Sequence, residues 1–492
     1  MTFYRDDEGV RLPVRLDSTS NGEFVPQPMT RRAVLANTLA HAQASDNARR
    51  LAISRRKFLI SACGAASSLL AINRAHADTN PGGTFEVDTV ATLDSGAAEQ
   101  VLGGREFIFD IQSHHVTPAG PWRSAWHPFN FVLRTFPQAK CGDGFLDGIF
   151  GSIDCFSSRN YIKEIFLDSD TDMAVLSFVP TRKDEMPLTL REGHETRRIV
   201  ESMAGSQRLL LHGPVNPRIP GDLELMPEML ERWQISAWKT YTQWGPDGVG
   251  FWLDDPQFGI PFIEMARALG TKRICIHKGL PFPGMKFEYS LSRDIGVVAK
   301  RYRDVDFIVY HAGYDNGAVE GPYDLTAQHR GIDSLVESLL ANDVPPNSNV
   351  FAEIGSSWRM LMSKPTEAAH ALGKLFKYVG ENNVLWGTDS IWYGSPQDQI
   401  QAFRAFQISE ELRAKYGYPK ITPELRRKVF GLNSARVYDI PVAEVSHRAE
   451  NDSIAKMRCA YVPERQPSFL TYGPRNRREF WRFMRWHGDS PS

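Results

Sequence analysis

Eight apolar runs of strand length, separated by helical patterns, follow one another along this sequence and leave few folds open to it. Within a run the apolar residues are continuous, as in strands of a parallel sheet that is covered on both faces. The runs are residues 107–111, 173–178, 208–211, 235–239, 273–277, 306–311, 349–354 and 383–387. Eight strand–helix units predict an α/β fold, a closed (β/α)8 barrel of the TIM type, over residues 106–445. A doubly wound open sheet is the alternative, but no glycine fingerprint follows the first run.

The helical patterns between the runs carry typical end signals. An apolar stripe at helical spacing covers 262–269 and is followed by Gly270, a residue type that commonly ends helices. Near the end of the predicted barrel, Thr422 is a typical N-cap with Pro423 at the first helical position. We therefore expect helices to alternate with strands as far as the last run.

Three segments fall outside this alternation. They are a short N-terminal arm over 78–105, a long β1–α1 insertion over 116–166 and a C-terminal extension over 446–492. Because the insertion is rich in aromatic residues, we expect Trp122, Trp126 and His127 to bind substrate, with a subunit interface as the alternative. The basic, aromatic extension is expected to wrap a neighbouring subunit, which makes a homodimer the expected assembly.

Residues 1–77 are interpreted as a targeting segment. The first 50 residues are polar and weakly periodic, which predicts disorder. Residues 54–59 (SRRKFL) resemble a twin-arginine export signal, and the apolar stretch 60–72 is too short to span a bilayer of about 30 Å. Small residues before Ala77 predict cleavage there, hence export to the periplasm with no membrane anchor in the mature form. A basic amphipathic helix is the alternative.

Charge and cysteine content exclude two classes of protein. The formal net charge is -1, and no stripe of Lys and Arg interleaved with aromatic residues predicts a nucleic-acid partner. Five cysteines are too few for a disulfide scaffold in so long a chain. Cys141 and Cys155 are interpreted as two buried thiols, with a disulfide between them as the alternative in an oxidising compartment.

Polar residues cluster where the predicted strands end, which in this barrel is the active-site face. The candidates are Gln112 and His114 after the first strand, Lys239 on the fourth, His277 on the fifth, His311 on the sixth and Asp389 on the eighth. Strand alternation places Gln112 and His114 on one face, where they are able to bind one ion together with His277 and Asp389. Zinc accepts imidazole nitrogen and carboxylate oxygen in one site.

The order of these motifs is similar to that of the metal-dependent amidohydrolase family that includes aminocarboxymuconate-semialdehyde decarboxylase. The similarity covers residues 106–440, and the matching segments are 110–114 (DIQSH), 276–279 (IHKG), 310–314 (YHAGY), 387–389 (GTD) and 431–438 (GLNSARVY). The resemblance implies a barrel enzyme with one divalent metal ion, zinc being expected and manganese the alternative.

The resemblance also implies a role for each residue. His114, His277 and Asp389 would bind the metal, Asp389 would also act on the bound water, and His311 would polarise the substrate or shuttle a proton. Gln112 departs from the family pattern, which has His or Glu there, so it is retained as a weaker neutral ligand. Lys239 is a second catalytic candidate that would meet an anionic substrate, with an ordinary surface lysine as the alternative.

Three functions are compatible with these residues. The leading hypothesis is a hydrolase that uses metal-activated water on a small organic substrate, namely a lactone, amide or ester. The second is a non-oxidative decarboxylase of an aromatic or unsaturated carboxylic acid. The third, which the unusual Gln112 keeps open, is a metal-free binding protein on the same barrel.

Overall fold

The protein is described from a computed structural model. It covers residues 6–485 except 7, 18, 80–81, 119–152, 180, 183–185, 284, 328 and 463–464. The described strands are β1 (Gly83–Phe85), β2 (Phe109–Ser113), β3 (Met173–Leu176), β4 (Leu209–Pro214), β5 (Ala237–Tyr241), β6 (Arg273–His277), β7 (Asp306–Tyr310), β8 (Val350–Glu353), β9 (Val384–Leu385) and β10 (Phe406–Ile408).

Strands β2 to β9 pair in sequence order as one parallel sheet of eight strands. The sheet closes where the Ile111 N–H donates to the Trp386 carbonyl at 3.1 Å and the Asp389 N–H donates to the Gln112 carbonyl at 2.8 Å. All eight predicted runs contribute a strand to this sheet, so the predicted (β/α)8 barrel is confirmed. Strands β1 and β10 form a separate antiparallel pair beside it.

Helices surround the barrel and extend beyond both of its ends in sequence. They are α1 (Arg31–Arg50), α2 (Arg55–Leu59), α3 (Ala62–His76), α4 (Ser95–Leu102), α5 (Ser158–Ile162), α6 (Leu190–Ala204), α7 (Met226–Trp233), α8 (Gly259–Ala268), α9 (Arg293–Arg301), α10 (Ile332–Ala341), α11 (Ser357–Leu361), α12 (Pro365–Lys374), α13 (Gln397–Ala405), α14 (Glu410–Tyr416), α15 (Pro423–Arg427), α16 (Asn433–Val437), α17 (Val442–Asn451), α18 (Ser453–Tyr461) and α19 (Arg477–Arg485). Thr422 caps α15 through its side chain and Pro423 is the first residue of that helix, as predicted.

Two layers of apolar side chains hold the barrel together. Inside it, Phe109, Val175, Ile308 and other inward residues form one cluster that Tyr438 closes from below. Outside it, the opposite faces of the strands pack against the helices and form the larger core. The alternation of side chains along each strand separates these two layers.

The prediction of disorder in the leading residues is wrong for α1, which spans Arg31–Arg50. This helix buries a stripe of alanines at helical spacing, Ala33, Ala36, Ala40, Ala44 and Ala48, and packs against α3. Alanine contributes little to average hydrophobicity, so the sequence of a helix with an alanine face is easily taken for a polar segment. The same small side chains allow two helices to approach closely. Helix α3 contains the apolar stretch of the predicted export signal, and it is buried along most of its length.

The C-terminal extension packs on its own chain. The Arg458 side chain donates to the carbonyls of Phe166 and Thr171, and the Tyr472 ring packs on Phe156. The Tyr472 N–H donates to the Trp392 carbonyl, beside the barrel mouth. The extension therefore covers this chain's own barrel, whereas homodimerisation remains a prediction.

Two further findings concern the cysteines and the helices. Cys155 is disulfide-bonded, and Cys63, Cys275 and Cys459 are free, so the interpretation of Cys155 as a buried thiol is wrong. Its predicted partner, Cys141, lies outside the described residues. Among the helices that the structure describes, none is long and apolar enough to cross a membrane.

Candidate metal centre and active site

At the carboxyl end of the barrel, the inward-pointing side chains of the strands are polar. Residues that point inward low in the barrel, such as Ala237 and Cys275, are apolar or small. Two residues later the same faces carry Lys239 and His277, and on β8 they carry Glu353. These polar side chains are buried, so the polar layer lies inside the mouth and not on an open surface. The fold therefore delivers several ionisable groups to one small volume.

Asp389 lies at the centre of this volume. Its Oδ1 atom is 3.1 Å from His114 Nε2 and accepts a hydrogen bond from Gln112 Nε2, also at 3.1 Å. Its Oδ2 atom accepts from Ser356 Oγ at 2.5 Å. The Trp392 ring stacks on His114 and fixes the plane of that imidazole. Strand β2 and the segment after β9 thus place three predicted residues in direct contact.

His311 and His277 form the second half of the site. His311 Nε2 is 3.2 Å from His277 Nδ1 and 3.4 Å from Gln112 Nε2, so Gln112 links the two halves. The Nδ1–H group of His311 donates to the Gly355 carbonyl at 2.7 Å, which leaves the lone pair on Nε2. This His311 tautomer is able to bind a cation or accept a proton, but it does not donate from Nε2.

Glu23 reaches the same site from the start of the chain, which the sequence did not predict. Its carboxylate oxygens lie 3.6 Å from His277 Nδ1 and 3.9 Å from His311 Nε2. The Asn21 amide donates to both Glu23 Oε2, at 2.7 Å, and Asp389 Oδ2, at 2.9 Å. Residues before the barrel therefore complete the wall of the site.

Burial sets the charges of these groups. Burial, helped by the charge of Asp389, raises the pKa of Glu23 to about 8. Burial also raises the pKa of Glu353 to about 8, although the backbone N–H groups of His311 and Gly355 donate to its carboxylate. A divalent cation nearby would reverse both shifts, because it favours the charged carboxylate.

The pKa values of Asp389 and of two site histidines are lowered, in contrast to those of the two glutamates. Burial alone would raise the pKa of Asp389, but its interactions with His114, His311 and Ser356 together hold that pKa below its ordinary value. Burial lowers the pKa of His311 to about 4 and that of His277 well below its ordinary value. At neutral pH the site therefore offers an ionised carboxylate and two neutral imidazoles, which are the forms that bind metal ions.

Three site residues adopt backbone conformations that side chains rarely accept. The φ angles are 61° at His311, 59° at Asp389 and 55° at Ser356. Each such residue costs of the order of 1–3 kcal/mol, and such residues cluster at functional sites. The surrounding structure offsets this cost, which is consistent with selection for the position of these side chains.

Lys239 joins the site to a cavity. The cavity has a volume of about 270 Å³, and its walls include Phe178, Met186, Trp233, Tyr241 and Trp244. Tyr241 also stacks on His277, with the ring centres 4.8 Å apart. Lys239 lines the cavity, and its Nζ atom lies 3.6 Å from the centre of the Tyr310 ring. The lysine is therefore an inward residue, and the alternative of an ordinary surface lysine is wrong.

The charge of this lysine is poorly compensated. Within the described part of the chain, its buried Nζ atom has no hydrogen-bond partner. Burial lowers the pKa of Lys239 to about 8, although nearby acidic groups, Cys275, Glu23 and Glu353, oppose this shift. A buried cation without a hydrogen-bond acceptor is suited to an anionic group of a ligand.

His115, the neighbour of His114, points away from the site, as strand alternation requires, and its Nε2 is 2.9 Å from Thr196 Oγ1. Trp122, Trp126 and His127, predicted to bind substrate, lie outside the described residues. Glu353 is a further site residue that was not predicted, although its position two residues after Phe351 repeats the sequence pattern of Cys275 and His277 on β6.

The arrangement fits a metal ion. Ligands at 2.0–2.2 Å from a tetrahedral zinc ion lie about 3.3–3.6 Å apart, close to the distances between neighbouring polar atoms here. Glu23, His277 and His311 offer ligand atoms that all lie within 4.8 Å of one another. In addition, Gln112 Oε1 is buried and has no hydrogen-bond partner among the described residues. The donors are imidazole and carboxylate, the set that suits zinc or manganese.

The model of one protein family matches part of the chain. The amidohydrolase family model matches residues 239–440, a range that contains Lys239, His277, His311 and Asp389. No curated protein matches the sequence. The match supports the amidohydrolase superfamily and an enzymatic role for this barrel.

Several solved structures are similar to the chain at low identity. An uncharacterised TIM-barrel protein from Bordetella bronchiseptica is 12% identical, with a TM-score of 0.44, over 69% of this chain and 99% of that one. A 2,6-dihydroxybenzoate decarboxylase from Rhizobium is 15% identical, with a TM-score of 0.38, over 68% and 99%. A 5-carboxyvanillate decarboxylase from Sphingomonas paucimobilis is 14% identical, with a TM-score of 0.38, over 68% and 99%.

Proposed function

We propose that this chain is a metal-dependent hydrolase of a small organic substrate, namely a lactone, amide or ester. The observation that carries the proposal is the contact between an ionised Asp389 and His114, within a cluster that includes two neutral histidines. The amidohydrolase match supports a hydrolase or a decarboxylase and does not distinguish between them. Hydrolysis is preferred because Asp389 combines metal binding with the ability to take a proton.

The residues have the following roles in this proposal. His114, His277 and Asp389 would hold the cation, expected to be zinc, and Gln112 is a weaker fourth donor. When bound, the cation supplies Lewis acidity and an activated water near neutral pH. Asp389 takes the proton from the attacking water and passes it to the leaving group.

His311 has a narrower role than the sequence alone allowed. Because its Nδ1–H is engaged by Gly355, its Nε2 atom accepts a proton and does not donate to a developing oxyanion. Glu353 accepts from the His311 N–H at 3.0 Å and holds this part of the backbone in place. Of the two roles predicted for His311, the structure favours proton shuttling over polarisation of the substrate.

One specific observation favours a second candidate, a non-oxidative decarboxylase of an aromatic or unsaturated acid. The cavity has apolar walls, and Lys239 places a buried cation in its lining. A planar carboxylic acid would place its ring between residues such as Phe178 and Trp244 and its carboxylate near Lys239. In this reaction CO₂ is lost and the proton goes to the carbon atom that carried the carboxylate, whereas in hydrolysis the proton goes to the leaving group.

A substrate panel that follows two products separates the candidates. The protein, reconstituted with Zn²⁺ or Mn²⁺, is offered lactones, amides, esters and aromatic acids, while released acid and CO₂ are measured in parallel. Acid without CO₂ supports the hydrolase, and CO₂ supports the decarboxylase. Replacement of Lys239 by Met should raise KM for a carboxylated substrate more than it lowers kcat. No turnover, combined with no bound transition metal, would instead indicate a metal-free binding protein.

A further inference from the structure

We propose that Glu23 is a ligand of the same divalent cation, delivered to the barrel mouth by the leading segment, which we define as residues 8–30. This inference rests on the proposed metal-dependent function and adds a ligand from outside the barrel. It means that the metal centre is shared between the barrel and residues that the sequence assigns to a removable targeting segment.

Glu23 faces two histidines of the barrel. Its two carboxylate oxygens lie 3.6 Å from His277 Nδ1 and 3.9 Å from His311 Nε2. The first distance is short enough for one ion to contact both Glu23 and His277 after small side-chain movements, with His311, the proposed proton shuttle, beside that ion. The Glu23 side chain is only 12% exposed, so it is inserted into the site and does not lie on the surface.

The donor set of the barrel is short of negative charge. Asp389 is the one anionic ligand among the four predicted, because Gln112 stands where the family pattern has His or Glu. The neutral Gln112 amide donates to Asp389 through Nε2, and its Oε1 atom is buried without a partner in the described part of the chain. A second carboxylate supplied by Glu23 compensates for the weak donor at this position.

An asparagine side chain links the two carboxylates. The Asn21 amide bridges Glu23 Oε2 and Asp389 Oδ2, and the Glu23 N–H donates back to Asn21 Oδ1 at 3.1 Å. Metal ligands are commonly oriented by such outer partners. Asn21 therefore sets the direction of a leading-segment carboxylate relative to a barrel ligand.

The leading segment is anchored on the barrel by a buried ion pair. Arg15 pairs with Asp398 of α13 at 2.9 Å, and both side chains are buried. Arg359 of α11 pairs with Asp17 at 2.9 Å and donates to the Arg15 carbonyl at 2.6 Å. These contacts fix the segment only a few residues before Glu23.

The C-terminal extension anchors the segment from its other side. The Ser20 N–H donates to the Pro474 carbonyl at 2.8 Å, and the hydroxyls of Thr19 and Thr471 are 2.7 Å apart. A Cβ atom at Gly473 would lie 1.8 Å from the Ser20 carbonyl oxygen, so the close approach requires glycine there. The C-terminal extension therefore helps to hold the leading segment, and with it Glu23, in the mouth of the barrel.

Metal binding to the full-length protein tests this inference. The metal-free chain is titrated with Zn²⁺ against a chromophoric chelator, and the absorption spectrum of the Co²⁺ form reports the ligand set. Glu23→Gln keeps the size of the side chain but removes its charge, and should weaken Zn²⁺ binding by at least about tenfold, the lower end of what loss of even an outer partner costs. The Co²⁺ spectrum should change as well. Glu8→Gln makes the same change at an exposed position of the same segment and should leave both measurements unaltered.

The possible failures are distinguishable. Wild-type affinity and an unchanged Co²⁺ spectrum in Glu23→Gln, with metal lost in His277→Ala, would overturn the role of Glu23 and leave the proposed function intact. No Zn²⁺ or Co²⁺ binding by the wild-type protein would overturn both. Intact mass gives a second check, because metal-loaded protein from cells should retain Glu23. Metal-loaded protein that begins at Asp78 would refute the inference alone.

Discussion

Arg359 touches neither a predicted metal ligand nor the cavity, yet it is positioned to control whether the leading segment stays on the barrel. Its side chain is 3% exposed, and the guanidinium pairs with Asp17 and donates to the Arg15 carbonyl. Burial alone would raise the pKa of Asp17, but Arg359 and the Thr19 hydroxyl hold that pKa below its ordinary value. Replacement of Arg359 by Met keeps most of the apolar stem and removes both polar contacts.

The cost of this change follows from the two hydrogen bonds. A hydrogen bond that involves a charged group contributes about 1.5–3 kcal/mol. The Asp17 side chain is 27% exposed, so its contact with Arg359 counts at the lower end of this range. Arg359→Met is therefore expected to lower the free energy of local opening of the leading segment by about 3 kcal/mol. This makes such opening about 100-fold more frequent.

Hydrogen–deuterium exchange measures this opening directly. Peptides over residues 10–25 should exchange about 100-fold faster in Arg359→Met, while peptides from β6 and β7 should be unchanged. Arg267→Met is the matched control, because Arg267 also forms ion pairs but lies half-exposed on the surface. If exchange of residues 10–25 is the same in Arg359→Met as in the wild type, the leading segment is not held on the barrel by this contact.

Two other predictions concern the site and the targeting motif. His311→Ala should abolish most turnover, and Asp389→Ala should lose both turnover and metal; full activity in His311→Ala would contradict its proposed role. Arg55→Lys with Arg56→Lys should retain the protein in the cytoplasm if export uses the twin-arginine route, as cell fractionation would show. In the folded chain both arginines are engaged, Arg55 with the Gly9 carbonyl and Arg56 with the Asp6 carbonyl. Unchanged periplasmic protein in this double variant would mean that the motif is structural.

The barrel and most of the residues at its mouth were predictable from the amino-acid sequence. Strand length, continuous apolar character and helix end signals are local properties, so each run is recognisable without its neighbours. Once eight such units follow one another, the topology brings all carboxyl strand ends to one face. That is why His114, His277 and Asp389, which are far apart in the chain, were expected in one site.

The positions of the two ends of the chain depend on tertiary contacts that the sequence pattern did not reveal. Glu23 precedes the barrel and carries no local signal of function; its position depends on ion pairs and backbone contacts with α11, α13 and the C-terminal extension. Likewise, the alanine face of α1 has meaning only against α3, because small side chains stabilise a helix pair through close approach and not through their own hydrophobicity. Contacts between segments so distant in sequence are set by packing, which a pattern along the chain does not encode.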